Sequence, residues 1–176
     1  MTVPSVPPVP PDPSAPSVLR PITAADHAEV LELNERHVDL LAPLAEPRLV
    51  QLASWADRAA VIDVDGRFRG FVLTFASGSP YDGDNFRWFG ERYPQFCYLD
   101  RVVVHDDFRR RGLATAVYDE LEADAARTRP VLTLEVNIEP PNEPSLAFHR
   151  ARGFVEVGRR TSDVDHVVTM MVKQLH

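Results

Sequence analysis

The chain has 176 residues and a net charge of −7, and these properties exclude several classes of protein. The length suits one domain, and a 44% share of hydrophobic residues is sufficient for a buried core. The negative charge argues against nucleic-acid binding, which depends on Lys and Arg side chains that neutralise phosphates. No apolar run approaches the roughly 20 residues that a membrane helix needs, and the N-terminus lacks the features of a signal peptide. A cytoplasmic protein is therefore expected, and the sequence leaves a homodimer open.

The single cysteine, Cys97, cannot form a disulfide bond within the chain. No Cys/His spacing resembles a zinc site, so we expect no bound metal. Because free cysteine behaves as a small apolar residue, we predict that Cys97 is buried in the core. A nucleophilic role for its thiol is the alternative.

Residues 1–17 differ in composition from the rest of the chain. They contain seven prolines, which leave little scope for a hydrogen-bonded element. We predict a disordered tail biased towards the polyproline II conformation, followed by one domain over residues 18–176. A proline-rich ligand for a partner protein is the alternative interpretation of the tail.

The first half of the domain shows strand and helix patterns on either side of a strong turn signal. In chain order, the sequence predicts a strand over 18–22, a helix up to His37, a helix over 47–58 and a hairpin over 59–75. The hairpin depends on Asp65-Gly66, a dipeptide favoured in two-residue turns. Residues 77–95 are polar and aromatic and predict a long loop, a kind of segment that is often functional.

The second half alternates between strands and helices. It predicts a strand over 97–104, a helix over 112–127, a strand over 131–137, a short helix over 143–152 and strands near 154–159 and 166–173. Leu113, Val117 and Leu121 recur on one face of the longer helix. The order of the elements indicates an α/β fold, with helices packed on the faces of a mixed sheet.

The strongest chemical signal is a basic, glycine-containing turn between a strand and a helix, at residues 109–114. The first turn of a helix has unpaired N–H groups and the positive end of the helix dipole. Gly112 and Ala114 allow an anion to approach the backbone closely, so the turn suits a pyrophosphate. It lacks the Gly-Lys-Ser/Thr of a Walker loop and the first glycine of a dinucleotide fingerprint. A solvated basic start to a helix is the alternative.

Two motifs in this half resemble the GNAT superfamily of acetyltransferases. One is Val102-Val103-Val104 followed by Arg109-x-x-Gly112-x-Ala114, which is similar to the family pattern Gln/Arg-x-x-Gly-x-Gly/Ala. The other is the strand 134–137, followed by Asn142 and the segments 145–149 and Gly153-Phe154, which resembles the family's next strand and its Asn, Tyr and Gly-Phe positions. The resemblance covers about residues 18–174 and implies a mixed, mostly antiparallel sheet with helices on both faces.

The resemblance also implies acetyl-CoA as the acyl donor and assigns residues to it. The implied cofactor-binding residues are Val102, Val103, Val104, Arg109, Arg110, Arg111, Gly112, Leu113, Ala114, Thr115, Asn142 and Ser145. The strand backbone would pair with the pantetheine arm, and the amides of the turn with the Thr115 hydroxyl would hold the pyrophosphate. Asn142 would bond to the pantetheine arm or to the phosphates.

Catalysis needs an acid for the departing thiolate, and here the sequence departs from the family. The family usually has Tyr at this position, whereas this chain has His149. An imidazole can donate a proton, and its reference pKa of about 6.5 lies nearer neutrality than that of a phenol. A packed, merely hydrogen-bonded histidine is the alternative, in which case Tyr98 or Tyr93 would supply the proton.

An alkylammonium acceptor must lose a proton before it can attack, so a base is also needed. Strand alternation predicts that Tyr98, Asp100, Val102 and Val104 share one face, which would place Asp100 near the acyl group. Asp100 is the first candidate for the base, with a structural ion pair as its alternative, and Glu135 is a weaker candidate. A backbone N–H near Val102 would hold the oxyanion.

The family usually builds its acceptor site from the first helices and the loop before the central strand. In this chain the implied residues are Asn34, Glu35, His37 and the segment 77–95, whose aromatic and acidic side chains suit an amine with an organic body. A mobile lid is the alternative for that segment. Two rival functions remain: a CoA-binding module without transferase activity, and an interaction protein that binds through its proline-rich tail.

Overall fold

The computed structural model of the protein describes residues 16–109, 112–163 and 165–176. The predicted roles of Arg110 and Arg111, and nearly all of the predicted N-terminal tail, lie outside these described residues. No helix in the described part of the chain is long and apolar enough to cross a membrane.

The described residues form a seven-stranded sheet with five α-helices. The strands are β1 (Leu19–Pro21), β2 (Arg58–Val64), β3 (Arg67–Ala76), β4 (Cys97–Val104), β5 (Val131–Glu139), β6 (Val155–Asp163) and β7 (His166–Gln174). The helices are α1 (His27–Arg36), α2 (Glu46–Trp55), α3 (Asp84–Gly90), α4 (Leu113–Ala126) and α5 (Glu143–Ala151). The strand order is β1-β2-β3-β4-β5-β7-β6, and every pair is antiparallel except β4 and β5. The predicted mixed, mostly antiparallel sheet is confirmed.

Local sequence signals fix most of these elements. Asp65 and Gly66 both adopt positive φ angles, 56° and 72°, as a tight hairpin turn between β2 and β3 requires. Helix α3 is the exception, because residues 77–95 were expected to form a loop without a helix. It has only seven residues, and it is stabilised by the burial of Phe86 and Phe89 rather than by helical periodicity.

The sheet separates two apolar layers. On one face, α1, α2 and α3 pack on a cluster that includes Phe71, Phe75 and Tyr98. On the other face, α4 and α5 pack on a cluster that includes Cys97, Leu99 and Leu132. Cys97 is buried and has no disulfide partner, as predicted.

Strands β4 and β5 diverge, and this divergence creates the site. Their pairing is limited to the register positions Cys97–Leu132 and Tyr98–Thr133, near the start of each strand. Beyond that point β4 continues to pair with β3, and β5 with β7, but the facing edges of β4 and β5 separate. Backbone N–H and C=O groups on those edges are therefore available to a ligand placed between the strands.

Candidate active site

A cavity of about 660 Å³ occupies the gap between β4 and β5. One end is lined by Arg109 and Ala114 at the start of α4, and the other by Tyr98, Asp100 and Glu135. The backbone of the diverging strands runs between the two ends. The cavity is thus an elongated cleft with a cationic helix terminus at one end and carboxylates at the other.

The helix-terminus end has the geometry that an anion needs. Gly112 is the N-terminal cap of α4 and has a φ of +75°, a conformation that glycine adopts without strain. A Cβ atom at this position would meet nothing within 4 Å, so the backbone lies open. Ala114 lines the cavity, Thr115 is exposed, and Leu113 packs against the core. The exposed first turn of α4 can therefore accept a phosphate.

Arg109, directly before the turn, is exposed and lies near two other side chains. Its Nη2 atom is 3.3 Å from His37 Nε2 and 3.1 Å from Asp106 Oδ1. Burial, followed by the charge of Arg109, lowers the pKa of His37, so the ring is kept neutral beside the guanidinium. Arg109 and His37 both line the cavity, and Arg109 adds a positive charge to the anion-binding end.

The start of α5 forms part of the same wall. Asn142 caps the helix, since its Oδ1 accepts a hydrogen bond from the Ser145 amide at 3.3 Å. Both residues line the cavity, as do Val102, Val103 and Val104. The residues assigned to the cofactor from sequence and described in the structure thus lie along, or next to, one cleft. Its open helix terminus and free strand edges fit a long, phosphate-bearing ligand with amide groups.

A β-bulge at Asp100 changes the predicted alternation along β4. Leu73 pairs with Arg101 and Thr74 with Leu99, so Asp100 is left without a partner on β3. The extra residue shifts the later side chains to the opposite face. Tyr98 lies in the cluster under α1 to α3, whereas Val102 and Val104 pack against the cluster under α4 and α5. The prediction that these four residues share one face is therefore wrong.

The bulge places Asp100 in a dense hydrogen-bond network. The Tyr81 hydroxyl donates to Asp100 Oδ1 at 2.6 Å, and Arg101 Nε donates to Oδ2 at 3.2 Å. Arg101 is 7% exposed, and its Nη1 donates to Asn34 Oδ1 at 2.5 Å and to the Ala42 carbonyl at 2.9 Å. The structural ion pair considered for Asp100 is therefore present. Through Arg101 it ties the carboxylate to α1 and to the segment between α1 and α2, while Tyr81 ties it to the segment before β4.

Glu135 lies at the same end of the cavity, on β5. The Tyr98 hydroxyl is 2.8 and 2.9 Å from its two carboxylate oxygens, and the nearby Asn85 side chain favours the charged form of the carboxylate. Removal from water and the nearby charge of Asp100 raise the pKa of Glu135 to about 7. This carboxylate can therefore exchange a proton near neutral pH.

The environment of His149 fixes its tautomer. Its Nδ1 is 2.7 Å from the carbonyl oxygen of Ser145, which can only accept, so Nδ1 carries the proton. Nε2 then accepts a hydrogen bond from the Tyr118 hydroxyl at 2.7 Å. The ring is 6% exposed, and burial lowers its pKa, which favours this neutral form. His149 and Tyr118 are thus a coupled pair on the cavity wall.

The predicted acceptor residues divide into two groups. His37 lines the cavity, while Asn34 is fully buried behind Arg101 and Glu35 is exposed outside the cleft. Within the segment 77–95, the cavity is lined by Tyr81, Gly83, Asp84 and Asn85. The other aromatic residues of the segment, Phe86, Trp88, Phe89 and Tyr93, pack on the core.

Several residues of the site were not predicted individually. These are Tyr118, Asn85 and Arg160, which line the cavity, and Arg101, which was considered only as an ion-pair partner. Tyr118 lies in the apolar pattern of α4, and Asn85 and Arg160 belong to segments that meet only in the fold. No local spacing could have identified them.

The cleft combines an open helix terminus, free strand edges and two carboxylates. This arrangement defines a CoA-dependent acyltransferase of the GNAT fold. The model of the Acetyltransferase (GNAT) family matches residues 28–154. The chain belongs to this family and is an acetyl-CoA-dependent acetyltransferase.

Several solved structures have the same fold. Ard1 from Thermoplasma volcanium matches 90% of this chain and 97% of its own, at 18% identity and a TM-score of 0.68. The yncA protein of Salmonella typhimurium, solved with its cofactor acetyl-CoA, matches 90% and 93%, at 17% identity and 0.67. The ribosomal-protein-S18-alanine N-acetyltransferase of Escherichia coli matches 89% and 92%, at 19% identity and 0.64. A search of curated proteins gave no match.

Proposed function

We propose that the protein transfers an acetyl group from acetyl-CoA to a primary amine of a small molecule or peptide, by direct attack on the thioester. The observation that carries this proposal is the pair of carboxylates, Asp100 and Glu135, at the end of the cleft away from the phosphate-binding turn. Carboxylates attract an alkylammonium ion, and one with a pKa near 7 can remove its proton.

The cleft offers a binding partner for each part of acetyl-CoA. The first-turn amides of α4 and Arg109 would hold the phosphates, and the backbone of Val102 and Val104 would bond to the pantetheine amides. Bound acetyl-CoA supplies an activated thioester at the carboxylate end. A backbone N–H near Val102 is proposed to stabilise the oxyanion.

We assign the two carboxylates different tasks. Asp100 already accepts hydrogen bonds from Tyr81 and Arg101, which suits a fixed negative charge that attracts the ammonium group. Glu135, with its pKa raised to about 7, is the better proton acceptor at neutral pH. The base role that the sequence favoured for Asp100 is therefore reassigned to Glu135.

The second proton transfer, to the thiolate, is proposed for His149 and Tyr118 together. In the observed tautomer the Nδ1 proton of His149 is bonded to the Ser145 carbonyl, and Nε2 has no proton. The proton that the pair can release is therefore that of the Tyr118 hydroxyl, and His149 orients this hydroxyl. Tyr98, the substitute acid from the sequence, instead directs its hydroxyl at Glu135.

The test is release of free thiol from acetyl-CoA with a panel of primary amines, with product masses measured in parallel. We expect amine-dependent thiol release and a mass increase of one acetyl group on the acceptor. A CoA-binding module would bind acetyl-CoA, seen as a rise in melting temperature, without amine-dependent release. That result would refute the proposal and favour the rival function.

A further inference from the structure

The segment 77–96 between β3 and β4 is closed at its base and is fastened to the rest of the protein further along its course. At its base, the Ser77 amide donates to the Phe96 carbonyl at 2.9 Å. Further along, the ring of Tyr81 stacks on Phe75 with centroids 4.0 Å apart, and its hydroxyl bonds to Asp100. These contacts describe a fixed wall rather than a lid that swings over the site.

The same segment also contacts β6, an edge strand of the sheet. Arg160 on β6 donates from Nη1 to Asn85 Oδ1 at 2.5 Å, and Asn85 lines the cavity together with Glu135. Trp88 lies directly on Gly158 of β6, where an added Cβ would come within 2.7 Å of the indole ring. Helix α3 therefore bridges the β4 side and the β6 side of the cavity.

This bridge limits what can reach the carboxylates. Asn85 and Arg160 both line the cavity, so the wall is continuous where α3 meets β6. A polypeptide acceptor would need a groove that extends past this wall for the residues that follow the amine. The cavity of about 660 Å³ extends from the start of α4 to the carboxylates, so the proposed binding of the donor leaves only part of this volume for the acceptor.

We infer that the acceptor is a small-molecule primary amine rather than a polypeptide amine, and that the contact of α3 with β6 imposes this limit. The inference rests on the proposed function and chooses between the two acceptor classes that it leaves open. The small amine places its ammonium group beside Asp100 and Glu135 and its body against Tyr81 and Asn85.

The test uses acceptors in matched pairs: amino-acid amides, and pentapeptide amides that begin with the same residue. The full chain is assayed with acetyl-CoA, and kcat/KM is measured by thiol release and product mass. We expect each amide to be preferred over its peptide by at least about 100-fold. Peptides used equally well or better would overturn the inference and leave the proposed function intact. Transfer to neither class, with acetyl-CoA still bound, would instead refute the proposed function.

Two variants that disrupt the contact between α3 and β6 test whether this contact causes the preference for small amines. Trp88→Ala removes the indole from Gly158, and Arg160→Ala removes the bond to Asn85. Both should reduce the preference for amides over peptides by at least about tenfold, with the acetyl-CoA-dependent rise in melting temperature retained. Glu91→Ala, at an exposed position of the same segment where the side chain pairs with Arg92, is the matched control. An unchanged preference in Trp88→Ala and Arg160→Ala, equal to that of Glu91→Ala, would overturn the role of the wall.

Discussion

The two ends of the cleft are built on different principles. The cofactor end uses the backbone of one continuous part of the chain, from β4 through the Gly112 turn to α5. The acceptor end uses side chains from distant segments: Tyr81 bonds to Asp100, Tyr98 bonds to Glu135, and Arg160 bonds to Asn85. Backbone recognition appears in the sequence as a compact motif, whereas a side-chain network appears only when the chain is folded.

This difference has consequences for mutation. At the cofactor end, backbone amides are proposed to make the contacts. Most side-chain changes there should therefore leave binding intact, and only a change that obstructs or reshapes the backbone should matter. At the acceptor end, single side-chain changes remove a charge or a proton-transfer group. The two regions should therefore differ in which substitutions abolish which step.

The largest effect is expected from Gly112→Glu, which places a carboxylate in the open space beside the first turn of α4. Its charge would repel the phosphates, so we expect no rise in melting temperature at about 1 mM acetyl-CoA. Gly66→Glu is the matched control, since Gly66 has a similar φ of +72° and open surroundings but lies in the β2–β3 turn. The control should lose similar stability from backbone strain yet respond to acetyl-CoA. If Gly112→Glu responds as the control does, phosphate binding at this turn is refuted.

The second prediction concerns the proton-donating pair and should affect turnover rather than binding. His149→Ala should lower kcat by roughly 10²–10⁴, with the acetyl-CoA response nearly unchanged. Tyr118→Phe removes only the hydroxyl bonded to His149 and should lower kcat to a similar degree. Because the two residues act as one unit, the double variant should be little worse than either single variant. Additive losses would show that they act separately, and wild-type kcat in both single variants would eliminate the pair.

Most of the fold was predictable because its signals are local. The Asp65-Gly66 turn, the apolar face of α4 and the strand 131–137 each show their structure within a few residues. Helix α3 was not predictable in this way, since its seven residues fold around aromatic rings that the core buries. The bulge at Asp100 was also missed, because it is set by pairing with β3 and no residue type marks it.

The parts of the site that consist of backbone and lie within a sequence motif were predictable. Gly112 and the strand 102–104 were identified because a phosphate-binding turn needs glycine and a following helix in sequence order. Tyr118 was not identified, since its hydroxyl meets His149 only through the packing of α4 against α5. Likewise, no spacing along the chain relates Asn85 to Glu135 or to Arg160.

The smallest effect is expected in stability and tests the environment of Glu135. Its pKa is about 7 in the folded protein, against an ordinary value of 4.5. Below about pH 4.5 the group is protonated in both folded and unfolded states, so its effect on stability does not change with pH. Between about pH 4.5 and 7 the unfolded chain releases the proton while the folded protein retains it, so the free energy of unfolding falls as pH rises.

Glu135→Gln removes this titration while it retains the shape and hydrogen-bonding capacity of the side chain. Its melting temperature, relative to wild type, should become more positive by several degrees as pH rises from about 5 to about 8. Glu139→Gln, at the exposed end of the same strand, is the control and should give a nearly constant difference. The measurement is thermal unfolding without acetyl-CoA at each pH. Parallel curves for the two variants would show that Glu135 lacks the raised pKa on which its assignment as the base rests.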